Sequence, residues 1–165
     1  MSPAPTPPAP SSPEPTASGA SSSKLPDSLA GLVRGLDHIA IVVPSIAEAR
    51  KTYEGTLGMG GGEVEFVADQ KVNVLCVDAG GQRIELVEPA SEDSPVSRFL
   101  AKRGGGLHHL AYRVDDVALA IARLKEAGLR MIDEAPRAGA HGTRIAFVHP
   151  SGTGGVLTEL VETRG

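Results

Sequence analysis

Tryptophan is absent from the 165 residues, and there are only three phenylalanines and two tyrosines. Nucleic-acid binders that stack bases need aromatic platforms, so that class is disfavoured. Basic residues are also short: 16 Lys and Arg stand against 20 Asp and Glu, a formal charge of −4. No cationic footprint for a phosphate backbone exists, and no nucleic-acid partner is expected. Cysteine occurs once, as Cys76, which excludes an intrachain disulfide. That usage suits a reducing compartment, and a cytoplasmic location is expected. In an alternating segment Cys76 reads as a small buried hydrophobe. No apolar run approaches the roughly 20 residues that span a bilayer, so no membrane partner is expected.

Proline is plentiful but unevenly placed. Eight of the 13 prolines fall before residue 27, mixed with Ser, Ala and Thr. Such a stretch buries too little apolar surface to offset its ordering entropy, so residues 1–33 are expected to be a disordered tail. The tail lacks the apolar centre of a secretory signal and holds one Lys and no Arg, unlike a mitochondrial transit peptide. Residues 34–165, roughly 130 positions, suffice for one compact domain.

Within that domain the chain repeats itself. Gly35-Leu36-Asp37-His38-Ile39-Ala40-Ile41-Val42-Val43 is echoed by Gly106-Leu107-His108-His109-Leu110-Ala111-Tyr112-Arg113-Val114. Ile84-Glu85-Leu86-Val87-Glu88 is echoed by Thr158-Glu159-Leu160-Val161-Glu162. Duplication of one supersecondary unit accounts for both echoes. Each half reads β-α-β-β-β, with modules at about 36–90 and 107–163. The expected fold class is therefore α+β, built from two βαβββ modules.

The local signals are as follows. Leu36–Val43 alternates, with His38, Ala40 and Val42 on one face and Ile39, Ile41 and Val43 on the other. The bulky face suits a packed helix. Ser45-Ile46-Ala47-Glu48 is a capping box, predicting a helix to about Thr56, closed at Leu57-Gly58. Gly60-Gly61-Gly62 reads as a loop. Strands are expected at Glu63–Val67, Lys71–Val77 and Arg83–Glu88, with a hairpin turn at Ala79–Gln82. Ser94-Pro95 opens a linking helix over about 95–103. In the second half a strand at Leu107–Val114 precedes a helix capped by Asp115-Asp116 and closed at Gly128. Further strands are expected at Arg130–Ile132, Thr143–Val148 and Val156–Glu162.

His38 and His109 hold matching places in the first strand of each half, and Glu85 and Glu159 in the last. If the halves pair about an approximate two-fold axis, all four side chains meet. A single histidine in an apolar strand is usually a hydrogen-bonded core residue. Four such groups in duplicate would be costly to bury without a partner. Two imidazoles and two carboxylates suit a divalent ion, whether Co, Mn, Mg, Zn or Fe. His108, one residue from His109, is expected on the opposite face in a structural role. His149 reads as a turn residue or a contact to ligand, and His141 lies in a mobile-looking loop. Gly152-Thr153-Gly154-Gly155 matches no phosphate-loop motif and reads as a plain turn.

The histidine-bearing strands resemble the vicinal oxygen chelate (glyoxalase) superfamily. Ile84–Pro89, Ser91–Pro95, Phe99–Gly104, Arg144–Pro150 and Gly154–Leu160 are similar, more narrowly, to its methylmalonyl-CoA epimerase family. The similarity covers about Leu36 to Glu162. The resemblance implies that the two βαβββ modules form a cupped mixed sheet around a divalent metal held by His38, Glu85 (a Gln in some members), His109 and Glu159. It implies epimerisation of an acyl-CoA at C2 of methylmalonyl-CoA through an enolate, with Glu159 as first candidate base. It also implies a homodimer. Some members carry a second acid/base Glu where this chain has Val74, leaving Asn73, Glu85 or a water for the opposite face. Many read His-Pro-Lys-Ser where this chain has His149-Pro150-Ser151-Gly152, so a Lys suited to CoA phosphates is absent. The alternatives are a glyoxalase I-type lactoylglutathione lyase, an extradiol dioxygenase, and a metal-free binding or resistance protein of the same fold.

Overall fold

The structure, a computed structural model, describes residue 31 and residues 33–163. The expected tail lies outside the described residues except at Gly31 and at its last position. There Val33 already belongs to the first strand.

Two βαβββ modules lie side by side in one eight-stranded sheet. The first comprises β1 (Val33–Val42), α1 (Ile46–Arg50), β2 (Gly60–Val67), β3 (Val72–Asp78) and β4 (Arg83–Pro89). Helix α2 (Pro95–Arg103) links it to the second. The second comprises β5 (Gly106–Val114), α3 (Val117–Glu126), β6 (Arg137–Ala138), β7 (Arg144–Val148) and β8 (Leu157–Glu162). The strand order is β2-β3-β4-β1-β5-β8-β7-β6. The modules meet where β1 runs antiparallel to β5, and each of these strands is parallel to the last strand of its own module. The order reads alike from either edge, as duplication requires.

Alternation along the strands separates two faces. On the convex side Ile41, Val43, Leu75 and Leu86 pack with Ile46 and Ala49 of α1. Val114, Met131, Val148 and Leu160 pack with Val117, Ile121 and Leu124 of α3. The bulky face of β1 thus meets a helix as expected. Leu75 and Leu86 are fully buried, and each such side chain contributes roughly 1.5–3 kcal/mol. The concave side carries Ala40, Val42, Val72, Val74 and Val87 in one module and Ala111, Ile145, Phe147 and Val161 in the other.

Caps follow the sequence closely. Ser45 accepts from the Glu48 amide, although Glu48 turns its carboxylate to Lys51 instead of closing the box. Asp116 accepts from the Leu119 amide, and Gly104 ends α2 in the left-handed region at φ 72°. Ser94 caps α2 by backbone only; its hydroxyl goes to the Gln70 carbonyl.

Two expectations need correction, and one helix keeps its expected extent while changing type. The helix after Ser45 is α-helical only to Arg50; Lys51–Thr56 continue as a π-helix. Gly60-Gly61-Gly62 is not a loop but the start of β2, drawn into the sheet by pairing of Gly60 and Gly61 with Asp78 and Val77. Arg130–Ile132 makes a single bridge, Met131 to Val148, not a strand. The strand beside β7 is instead Arg137–Ala138.

Candidate functional site

Two rows of side chains cross the seam between the modules. Ala40 on β1 is register partner to Glu85 on β4 and to His109 on β5. Ala111 on β5 is partner to Glu159 on β8 and to His38 on β1. Residues opposite one another in a sheet share a face. Each row therefore carries one His and one Glu with an alanine between them. Both alanines are wholly buried and form a floor that leaves room for the larger groups above.

The four expected side chains come together. His109 Nε2 lies 2.6 Å from Glu159 Oε2 and 3.2 Å from His38 Nε2. His38 Nε2 lies 3.3 Å from Glu85 Oε2 and 3.4 Å from Glu159 Oε2. All four residues are buried. The donor atoms of His38, His109 and Glu159 lie within 4.8 Å of one another. Glu85 approaches from the His38 side, and its other oxygen meets the Arg83 guanidinium at 3.3 Å.

Two further groups, Asp37 and His108, complete the site, and simple alternation misplaces both. Between Leu36 and His38 the register of β1 against β5 slips, so Asp37 is an extra residue. The same happens between Leu107 and His109, where His108 is extra. At a bulge two consecutive side chains turn to one side of the sheet. Asp37 Oδ2 accordingly reaches His38 Nδ1 at 2.8 Å, and His108 Nδ1 lies 2.8 Å from His109 Nδ1. The expectation that His108 faces away is thus overturned: it lines the same cavity as His38, Glu85 and His109. The clue in the sequence is that the echo extends one residue before each histidine.

The electrostatics favour a cation here. Burial opposes charge on His38, but hydrogen bonds to Asp37 and Glu159 and the Glu85 charge outweigh it, raising its pKa to about 10. Burial likewise opposes charge on Glu159, yet hydrogen bonds from His109 and His38 pull its pKa down to about 2. Burial pushes Glu85 upward. Burial, helped by the neighbouring His109, lowers His108 to about 4, so its ring is neutral near pH 7. Three carboxylates around His38 make the ion pairs a stand-in for charge neutralisation by a proton.

The rest of the cavity wall is largely apolar, from Val67, Val72, Val74, Val87 and Val96, with Ala140 and Thr143 at one side. Cys76 is not the plain hydrophobe expected. It is half-buried, with Arg83 Nη2 3.4 Å from Sγ. Two other histidines do not line this cavity, although the ligand atoms of His141, Glu85 and Cys76 lie within 4.8 Å of one another. His149 accepts from the Ser151 amide as a turn residue. His141 is pinned rather than loose, its Nδ1 2.7 Å from Glu65 and its backbone N–H donating to the same carboxylate. Gly152–Gly155 form a turn, as expected.

The scaffold is a duplicated cupped sheet that gathers two histidines and two glutamates at the seam between its modules. Residues 37–147 match the family model of the Glyoxalase/Bleomycin resistance protein/Dioxygenase superfamily. The chain belongs to that superfamily. It is 46% identical over 130 residues to the uncharacterized protein YqjC of Bacillus subtilis, covering 79% of this chain and 93% of that protein. It is 40% identical over 131 residues to the ethylmalonyl-CoA/methylmalonyl-CoA epimerase of Cereibacter sphaeroides, covering 78% and 98%. The crystal structure of methylmalonyl-CoA epimerase from Mycobacterium tuberculosis superimposes with a TM-score of 0.76 at 38% identity, covering 81% of this chain and 91% of that one.

Proposed function

We propose that this chain is a methylmalonyl-CoA epimerase. The observation that carries the reading is Glu159: a buried carboxylate held by the two imidazoles of His38 and His109, which line the cavity, in a chain so similar to epimerases of that substrate.

The C2 hydrogen of methylmalonyl-CoA lies between a thioester and a carboxylate, so its removal gives an enolate. The Glu159 carboxylate is the group we assign to take that proton. The apolar wall of Val72, Val74 and Val87 keeps water from quenching the carbanionic carbon unselectively. His38, His109, Glu159 and Glu85 offer two nitrogens and two carboxylates, a donor set that fits a divalent cation. When bound there, such a cation supplies positive charge beside the oxygen on which the enolate charge develops.

Inversion needs a second proton carrier. Asn73 is not among the residues lining the cavity, whereas Glu85 is. Glu85 and Glu159 flank His38 Nε2 at 3.3 and 3.4 Å. Burial raises the Glu85 pKa in the metal-free chain. The opposite-face proton is therefore assigned to Glu85, when its carboxyl is off the cation, or to a water it holds. A homodimer is the expected assembly; among the described residues no helix is long and apolar enough to cross a membrane.

The test is deuterium exchange at C2 of methylmalonyl-CoA in heavy water, with and without added cobalt or manganese. Metal-dependent exchange is expected. No exchange in either condition, with turnover of a glutathione hemithioacetal instead, would move the assignment to a lactoylglutathione lyase.

A further inference from the structure

His108 is the one imidazole of the cavity that the proposed reaction leaves without a task. Its ring is fixed on two sides. Nδ1 lies 2.8 Å from His109 Nδ1, and Phe99 packs against the ring edge-on, with centroids 4.8 Å apart. Nε2 makes no hydrogen bond among the described residues, and it is not one of the sealed, partnerless polar atoms. The ring lines the cavity, as do Val96 and Gln70.

The short contact between the two Nδ1 atoms constrains the protons. Two N–H groups cannot face each other at that distance, and neither can two lone pairs. His109 Nε2 points at the cluster of His38 and Glu159. For His109 to serve as a ligand there, Nε2 must carry its lone pair and Nδ1 its hydrogen. That hydrogen then goes to His108 Nδ1, which leaves the His108 hydrogen on Nε2. The first module offers no such group: Asp37 takes the equivalent place beside His38, but it is an acceptor, already shared with Arg83.

We propose that His108 is a two-sided residue, accepting from His109 Nδ1–H through Nδ1 and donating Nε2–H to an oxygen of the malonyl group of the bound acyl-CoA. The inference rests on the epimerase reading above. Toward His109 it is a positioning residue; toward the substrate it is a binding and orienting one. Outer hydrogen bonds of this kind set the tautomer and ring angle of a ligand histidine, and their loss costs about 10–100-fold in metal affinity.

Two substitutions separate the two sides. In His108→Asn the amide oxygen sits near Nδ1 and keeps the acceptor, while the cavity donor is lost. In His108→Gln the amide nitrogen sits near Nε2 and keeps the donor, while the acceptor is lost. Cobalt affinity is read by chelator competition, and kcat and KM by C2 exchange at saturating cobalt. His108→Asn is expected to hold metal like the parent but to lose about 10–100-fold in kcat/KM. His108→Gln is expected to bind cobalt about 10–100-fold more weakly yet to recover most of its turnover once saturated. Parallel loss in both variants, or no loss in either, overturns the proposal. An inactive parent enzyme defeats the epimerase reading instead, and the substrate contact with it. A third measurement needs no variant: the nitrogen NMR spectrum of the histidine-labelled, zinc-loaded protein must give His108 as the Nε2–H tautomer, and the Nδ1–H tautomer overturns the assignment.

Discussion

Asp37 and His108 hold equivalent places in the two modules. Each is the extra residue of a strand bulge, and each stands 2.8 Å from Nδ1 of the histidine that follows it. Duplication kept the geometry and changed the chemistry. An anion orients one histidine and a neutral ring the other. The site therefore has an electrostatically strong half around His38, where Asp37, Glu85 and Glu159 converge, and a weaker half around His109.

That asymmetry predicts the outcome of Asp37→Asn. The amide is isosteric and keeps a hydrogen bond to His38, but it removes the charge that fixes the Nδ1–H tautomer. Cobalt affinity, measured by chelator competition, should fall about 10–100-fold, with the melting temperature of the metal-free protein reduced as well. Unchanged affinity would mean that Asp37 serves Arg83 rather than His38.

The two carboxylates have separable tasks. Glu159→Gln should lower C2 exchange by about 10²–10⁴-fold, the range for loss of a positioned general base. Glu85→Gln should slow epimerisation more than it slows exchange of one epimer's C2 hydrogen, since removal on the Glu159 face survives. Following both the deuterium content and the stereochemistry of recovered substrate distinguishes these results. Equal damage to exchange and inversion in Glu85→Gln would assign Glu85 to metal binding alone.

Metal uptake should release protons. In the metal-free protein His38 has its pKa raised to about 10, so at pH 7.5 it carries a proton. Its Nε2 must give up that proton to act as a ligand. Calorimetric titration with cobalt in buffers of different ionisation heats should thus report release of about one proton per ion bound. The same linkage acts on stability. The raised His38 value stabilises the metal-free fold fully below its ordinary pKa, and that contribution fades as pH rises toward 10. Binding enthalpies independent of buffer would contradict this.

Much of this site was legible before any coordinates. The echo of Leu36–Val43 in Leu107–Val114, and of Ile84–Glu88 in Thr158–Glu162, was enough to gather four side chains, because a two-fold repeat leaves few ways to pair the strands. What alternation could not place was Asp37 and His108. Their direction depends on a register slip between β1 and β5, which is a property of the pair of strands and not of either one. Gly60–Gly62 failed for a related reason: glycine favours loops locally, and pairing with Val77 and Asp78 overrides it. The short β6 carries no periodic signal in its two residues.

The turn joining the modules supplies a stability test away from the chemistry. Gly105 has φ +112°, and a Cβ placed there would lie 2.8 Å from the Val42 carbonyl oxygen. That oxygen is backbone at the end of β1 and cannot swing aside. Gly80, in the β3–β4 hairpin, has φ +69° with nothing within 4 Å of a Cβ. Gly80→Ala should therefore cost only the left-handed backbone term, about 1 kcal/mol. Gly105→Ala adds a steric clash to an even less populated backbone region, for a total of roughly 3 kcal/mol or more. Chemical denaturation of both variants measures the difference. Equal midpoints would show that the chain relaxes around Gly105, and that the seam between β1 and β5 tolerates a shift at its end.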